Sequence, residues 1–218
     1  MGECKSGIQN ELKIAGTNLF LVSAGICGAV IVLAAAGGEL LDLYPVSFEV
    51  IFPFFAAVSV GEWARTRADG NFDLIAAQSR SLFAWALKRS AAVFGTVSFF
   101  AVGCMAAVSL IRYAYPLREL IFMYFPPAFF LSSLAAWVGL ESVQEHLAAA
   151  VSGLVWLAAL LTRSLLRIRG VEYIYLFICY AGDPNHVWLW NKGIYTAAGI
   201  LIWAAIFRRN YQKKVNRI

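Results

Sequence analysis

Long hydrophobic stretches with almost no charge recur from Asn18 to Phe207, and a chain built this way places most of its length inside a lipid bilayer. In hydrocarbon every backbone N–H and C=O must find its partner within the protein, so runs of about 20 apolar residues fold as helices rather than open strands. Composition agrees. Hydrophobic residues are 61% of the 218 and charged residues 14%, and mean hydropathy is +0.69. A soluble domain carries roughly a quarter charged residues. The expected fold class is an all-α integral membrane protein. No gap between apolar stretches exceeds about 25 residues, so residues 1–218 form one membrane domain with the first span retained.

Six spans are expected, at about residues 17–41, 46–62, 89–111, 117–140, 147–161 and 191–207. Pro53 predicts a kink or tilt in the short second span, and Pro126-Pro127 lie within the fourth. Residues 8–16 combine Ile8, Leu12 and Ile14 with Gln9, Glu11 and Lys13, a pattern for an N-terminal interfacial helix. The segment 171–190 opens with VEYIYLFICYAG, whose helix would rise only about 18 Å against a hydrocarbon core of about 30 Å. It is expected as short outer re-entrant or interfacial helices, with Tyr173, Tyr175, Tyr180, Trp188 and Trp190 at headgroup depth; a seventh span is the alternative.

With six spans both termini share a side. If that side is inner, Lys5, Lys13, Arg65, Arg67, Arg80, Lys88, Arg89, Arg208, Arg209, Lys213, Lys214 and Arg217 are cytoplasmic, and Arg112, Arg118, Arg163, Arg167, Arg169 and Lys192 are outer. That excess favours cytoplasmic termini. The net charge of +5 therefore reports orientation and not nucleic-acid binding.

Chemistry within the chain is sparse. His146 and His186 are expected on opposite sides of the membrane, without metal-ligand companions. Cys4, Cys27, Cys104 and Cys179 show no ligand or redox spacing and suit packing. Ser132-Ser133 has no nearby base, and no phosphate-binding G-x-x-x-x-G-K-[ST] loop occurs. No catalytic site and no cofactor or metal held by this chain are expected. Spans one, three, five and six carry essentially no charge, which disfavours an ion-driven transporter and leaves the energy for any transport to a partner. Glu49, past Pro45, either faces outer water or is buried in span two, and Glu62 is expected to pair with Arg65 or Arg67. Small residues permit close helix contacts, within one bundle or between subunits: Ala24, Gly25, Gly28, Ala29 and residues 34–38 in span one, Gly95, Gly103 and Ala106 in span three, and Ser132, Ser133, Ala135 and Gly139 in span four.

The largest polar interruption is GEWARTRADGNFDLIAAQSRSLFAWALKR, residues 61–89. Asn71 or Asp73 caps a short helix over about 71–80, either an amphipathic connector at the membrane surface or a helix that docks into a groove of another protein.

This pattern resembles the six-span permease subunit of ABC exporters of the type-two class, over roughly residues 11–209. The segment PFFAAVSVGEWARTRADGNFDLIAAQSRSLFAWALKRSAAV carries the resemblance most specifically, with Glu62, Arg65, Gly70, Phe72, Asp73, Leu74 and Ser79-Arg80-Ser81 in the places of the family's coupling region. A second match, FPPAFFLSSLAAWVGLESVQEHLAAAVSGLVWL, resembles the fourth span, a short cytoplasmic turn and the fifth span, with Glu141 and Glu145 bounding a smaller contact. The resemblance implies a cytoplasmic coupling helix between spans two and three, and two cytosolic nucleotide-binding ATPase subunits that hold ATP and Mg. It also implies a second copy or homologous permease as partner, contact with membrane lipids, and export of an amphiphile such as a drug, antimicrobial peptide or lipid from a bacterial plasma membrane. A non-transporting accessory, assembly or immunity protein of the same fold is the alternative.

Overall fold

The computed structural model describes residues 2–36, 46–64, 67, 69–70, 73, 82–111, 116–168, 170–178 and 187–215, with backbone alone for 2–16 and 210–215. Six α-helices are found among them: α1 (Gly2–Ala36), α2 (Phe52–Trp63), α3 (Leu82–Ile111), α4 (Leu117–Glu141), α5 (Leu147–Leu161) and α6 (Val187–Val215). The described residues contain no strand. The chain is an all-α, multi-span, membrane-type helical bundle. Thr17–Ala36, Leu82–Ile111, Leu117–Glu141 and Leu147–Arg167 are long and apolar enough to cross a membrane.

α1 is one continuous helix, so residues 8–16 run without a break into the first span. Its 35 residues span about 52 Å, well beyond a hydrocarbon core of about 30 Å. α3 likewise begins seven residues before the expected span boundary at Arg89. The fifth apolar stretch gains length from a 3-10 turn, Thr162–Arg167, that continues α5. α2 is entered through a π-helical turn, Ser47–Ile51, just before Pro53. The irregularity expected at that proline is therefore a π turn, where the wider helix absorbs the donor the proline lacks.

α4 is the centre of the bundle. It packs against α2, α6, α5 and α3, while α1 lies mainly along α3. One core runs through Phe48, Phe52, Val97, Ala101, Met105, Leu120 and Tyr124, all buried. Within it Phe52 and Tyr124 meet edge to face at 6.4 Å, and the Tyr124 hydroxyl shares a 2.9 Å hydrogen bond with Ser98 Oγ across α3 and α4. α5 is peripheral, with only Ala148 and Ser152 buried.

Small residues mark part of this packing. Ser132, Ser133 and Ala135 are buried on α4. Gly25, Gly28, Gly95 and Gly103 make no close contact within this chain: a Cβ added at any of them meets nothing within 4 Å. The closest approach of one backbone to another falls at Gly61, where a Cβ would lie 2.8 Å from Ala149 N, so α2 and α5 touch backbone to backbone.

The bundle has two ends. The first joins the end of α2, the start of α3, the end of α4, the start of α5 and the end of α6. The second joins the start of α2, the end of α5, residues 170–178 and the start of α6. At the second end the chain turns at Gly170, whose φ of 94° suits a residue without Cβ, into a 3-10 turn, Val171–Tyr173. Residues 170–178 form turns and 3-10 geometry, not α-helix. Tyr175, Leu176, Phe177 and Ile178 are buried inside the bundle, with Tyr175, Leu176 and Phe177 against Val50, Ala57 and Leu131. Tyr175 is thus a buried residue packed within the bundle.

Candidate functional site

The first end gathers the described residues that the sequence marked for partner contact. Glu62, in the last turn of α2, pairs with His146 at the start of α5, with Nδ1 2.9 Å from Oε1 and 3.1 Å from Oε2. Arg67 reaches α4: its backbone N–H donates to Gly139 O at 3.2 Å and its guanidinium to Glu141 O at 3.0 Å. The Glu141 carboxylate in turn meets Arg209 of α6 at 3.1 Å. Asp69 holds Arg89 of α3 at 2.5 Å, and the same guanidinium lies over the Trp85 ring, 5.0 Å from its centre. Sequence neighbours suggested Glu62–Arg65 or Glu62–Arg67. The fold adds His146, 84 residues away, and sends Arg67 to the end of α4.

These contacts tie α2, α4, α5 and α6 together at their polar ends. The exposed ones contribute little stability individually, about 0–1 kcal/mol each. Their consequence is geometric, since they fix the offset of these helix ends relative to one another. Glu145 is exposed in the turn 142–146, and Gly70 is exposed beside Asp69. Asp73 is helical and exposed. Arg65, Phe72, Leu74 and Arg80 lie outside the described residues, as does the rest of the expected helix 71–80. Beside Glu141 and Arg209, an open groove of about 680 Å³ runs along Trp137, Val143 and Leu147.

The second end holds the most unusual electrostatics. Glu49, in the π turn, lies 2.5 Å from Lys192 Nζ of α6, and their side chains are only 1% and 3% exposed. Such a pair is tolerated in an apolar bundle because each charge satisfies the other at close range. Next to it, Asn191 Nδ2 donates to Glu172 O at 3.2 Å, Tyr173 O at 3.0 Å and Tyr175 O at 2.8 Å. Tyr195 O–H donates to Ile174 O. Trp156 Nε1–H donates to Val50 O at 2.9 Å, within the π turn. Irregular backbone is affordable at this depth only with such partners. The sequence left Glu49 between outer water and burial, and did not single out Asn191, Lys192 or Trp156 as its companions. The available signal was that span six opens on a polar pair, Asn191-Lys192, opposite the span that begins with an acid.

Two thiols also meet that the sequence held apart. Cys27 Sγ–H donates to Phe100 O at 3.3 Å and Cys104 Sγ–H to Cys27 O at 3.6 Å, across the α1–α3 contact. Both are free and buried.

No protein-family model, curated protein or solved structure matches this chain. The described residues contain no group of three or more His, Cys, Asp or Glu side chains placed to hold a metal ion.

Proposed function

We propose that this chain is the permease subunit of an ATP-driven exporter of the type-two ABC class. It works as a homodimer or heterodimer with two cytosolic ATPase subunits that carry the ATP and Mg, and it moves an amphiphilic substrate (a drug, antimicrobial peptide or lipid-like molecule). The observation that carries this reading is the polar first end, where Glu62, Arg67, Glu141, His146 and Arg209 join four helices around the 61–89 connection. In this reading that end faces the cytosol of a bacterial cell, as the distribution of basic residues favours. α2 and α6 complete six spans, and residues 170–178 re-enter the bundle from outside.

This reading implies a route for the movement, and the contacts at the first end support it. The ATPase grips the segment 71–80 through Asp73 and its neighbours, with Glu145 and the 142–146 turn as a second contact. Closure on ATP displaces the connection. Arg67, bonded to both Gly139 and Glu141, passes that displacement to α4, and Glu62–His146 passes it to α5. The chain contributes binding and movement, and the chemistry is the partner's.

A second reading is an accessory, assembly or immunity membrane protein that transports nothing. It is favoured by the Glu49–Lys192 pair and the packed residues 175–178, which close the second end within a single subunit. Affinity purification from native membranes in mild detergent separates the two. The permease reading expects a nucleotide-binding subunit to co-purify, and Asp73→Arg to remove most of it while the variant's unfolding temperature stays unchanged. Absence of any nucleotide-binding subunit from the wild-type complex refutes it.

A further inference from the structure

A cavity of about 100 Å³ lies between α2, α3, α4 and α6, in the half of the bundle nearer the first end. Its walls are apolar, chiefly Val60, Phe94, Phe129 and Trp203, and three serine residues line it as well. The aromatic wall is fixed. Phe129 stacks on Phe125 at 5.7 Å and meets Phe94 at 6.3 Å, while Gly199 presses so close that a Cβ there would fall 2.6 Å from the Phe129 ring. The cavity opens past Leu87 and Ala91, both exposed on the flank of α3. Phe83, packed on Trp203 at 6.1 Å and Phe207 at 5.1 Å, joins α3 to α6.

The three hydroxyls are not equivalent. Ser133 Oγ–H donates to Phe129 O at 2.7 Å, as a helical serine ordinarily does. Ser132 is 4% exposed and its Oγ has no hydrogen-bond partner. It stands nine residues before Glu141, about 14 Å along the helix from that polar end. A buried hydroxyl without a partner costs about 1–3 kcal/mol. Water alone is a poor occupant here, because a buried water ordinarily makes about three hydrogen bonds and these walls are mainly carbon. A purely hydrocarbon tail fills the space but leaves Ser132 unsatisfied. An occupant with both an apolar chain and an oxygen beside it meets both demands.

We propose that this cavity is a binding site for a long-chain amphiphile entering sideways from the bilayer. Its hydroxyl or carbonyl oxygen bonds Ser132 Oγ, its first few carbons fill the space between Phe94, Phe129 and Trp203, and the rest of the chain leaves past Leu87 and Ala91 into the lipid. The site belongs to the single chain and requires no ATPase, so it stands or falls separately from the permease reading.

A diazirine-bearing octanol, photolysed with the purified full chain in micelles and mapped by mass spectrometry, tests it. Label is expected on Ala91, Phe94, Phe129 and Trp203, saturating with dose and competed by both 1-octanol and n-octane. Ser132→Ala should weaken competition by 1-octanol about fivefold to tenfold, the loss of one neutral hydrogen bond, and leave n-octane unchanged. Ala91→Phe, at the mouth, should block labelling of Phe129 altogether without touching the core. Label that never saturates, or that falls equally on the outward Phe99 and Leu110, overturns the proposal. So does a Ser132→Ala variant that keeps the full preference for 1-octanol.

Discussion

Removing one member of the Glu49–Lys192 pair should be among the most damaging single changes available in this chain. The carboxylate oxygen and ammonium nitrogen are 2.5 Å apart, and neither side chain retains more than 3% of its exposure. Lysines near helix ends commonly extend their charge towards water, but Lys192 turns inward and meets the acid instead. Lys192→Met leaves the Glu49 carboxylate without its ammonium in an apolar bundle, and Glu49→Gln leaves the ammonium without its carboxylate. Breaking one side of a buried pair costs about 3–5 kcal/mol, whereas replacing both partners with apolar or neutral groups of similar size is often near neutral. At about 2–4 °C per kcal/mol for a chain of this size, each single variant should unfold about 6–20 °C lower. The double variant Glu49→Gln, Lys192→Met should recover to within a few degrees of wild type. Thermal unfolding in micelles, followed by size-exclusion chromatography with fluorescence detection, measures all four corners of the cycle. A coupling energy above about 2 kcal/mol is expected. Single variants no worse than about 1 kcal/mol, or a double variant whose loss equals the two singles added, would refute the reasoning.

Asn191→Leu removes the donor shared by Glu172, Tyr173 and Tyr175 carbonyls, and should cost about 1–3 kcal/mol. Limited proteolysis should then cut within residues 170–178 at a rate at least several-fold above wild type. Gly61→Ala puts a methyl 2.8 Å from the Ala149 backbone and should destabilise by about 1–3 kcal/mol, since neither backbone yields as a side chain does. Gly25→Ala, with open space around it, should be neutral or slightly stabilising in the same unfolding assay.

Fold class was legible in the sequence because the solvent dictates it. Uncharged apolar runs of span length have few foldings that satisfy their backbone in hydrocarbon, so helix positions can be read locally. The π turn at Ser47–Ile51 was partly legible, since Pro53 announces an irregularity without specifying its kind. Helix packing was less legible. Membrane helices are apolar on every side, so hydrophobicity does not mark the face that meets another helix. Small residues were the substitute signal, and they identified Ser132, Ser133 and Ala135 on α4 but not Gly61 or Gly199, where backbone and ring approach most closely.

The polar end shows the same division. Glu62 was selected because an acid at the margin of an apolar run must find a partner, and Glu141 through the resemblance of its turn to a permease contact. Which partners they found depends on helices brought together from distant parts of the chain. Glu49 and Lys192 are 143 residues apart, and Cys27 and Cys104 are 77 apart. The sequence by itself determined that this is a helical membrane protein, because that follows from the free energy of moving each segment out of water. Only the tertiary structure decided which buried charge, amide and thiol face one another, because those pairings depend on the rotation and offset of whole helices whose lipid and protein faces are chemically alike.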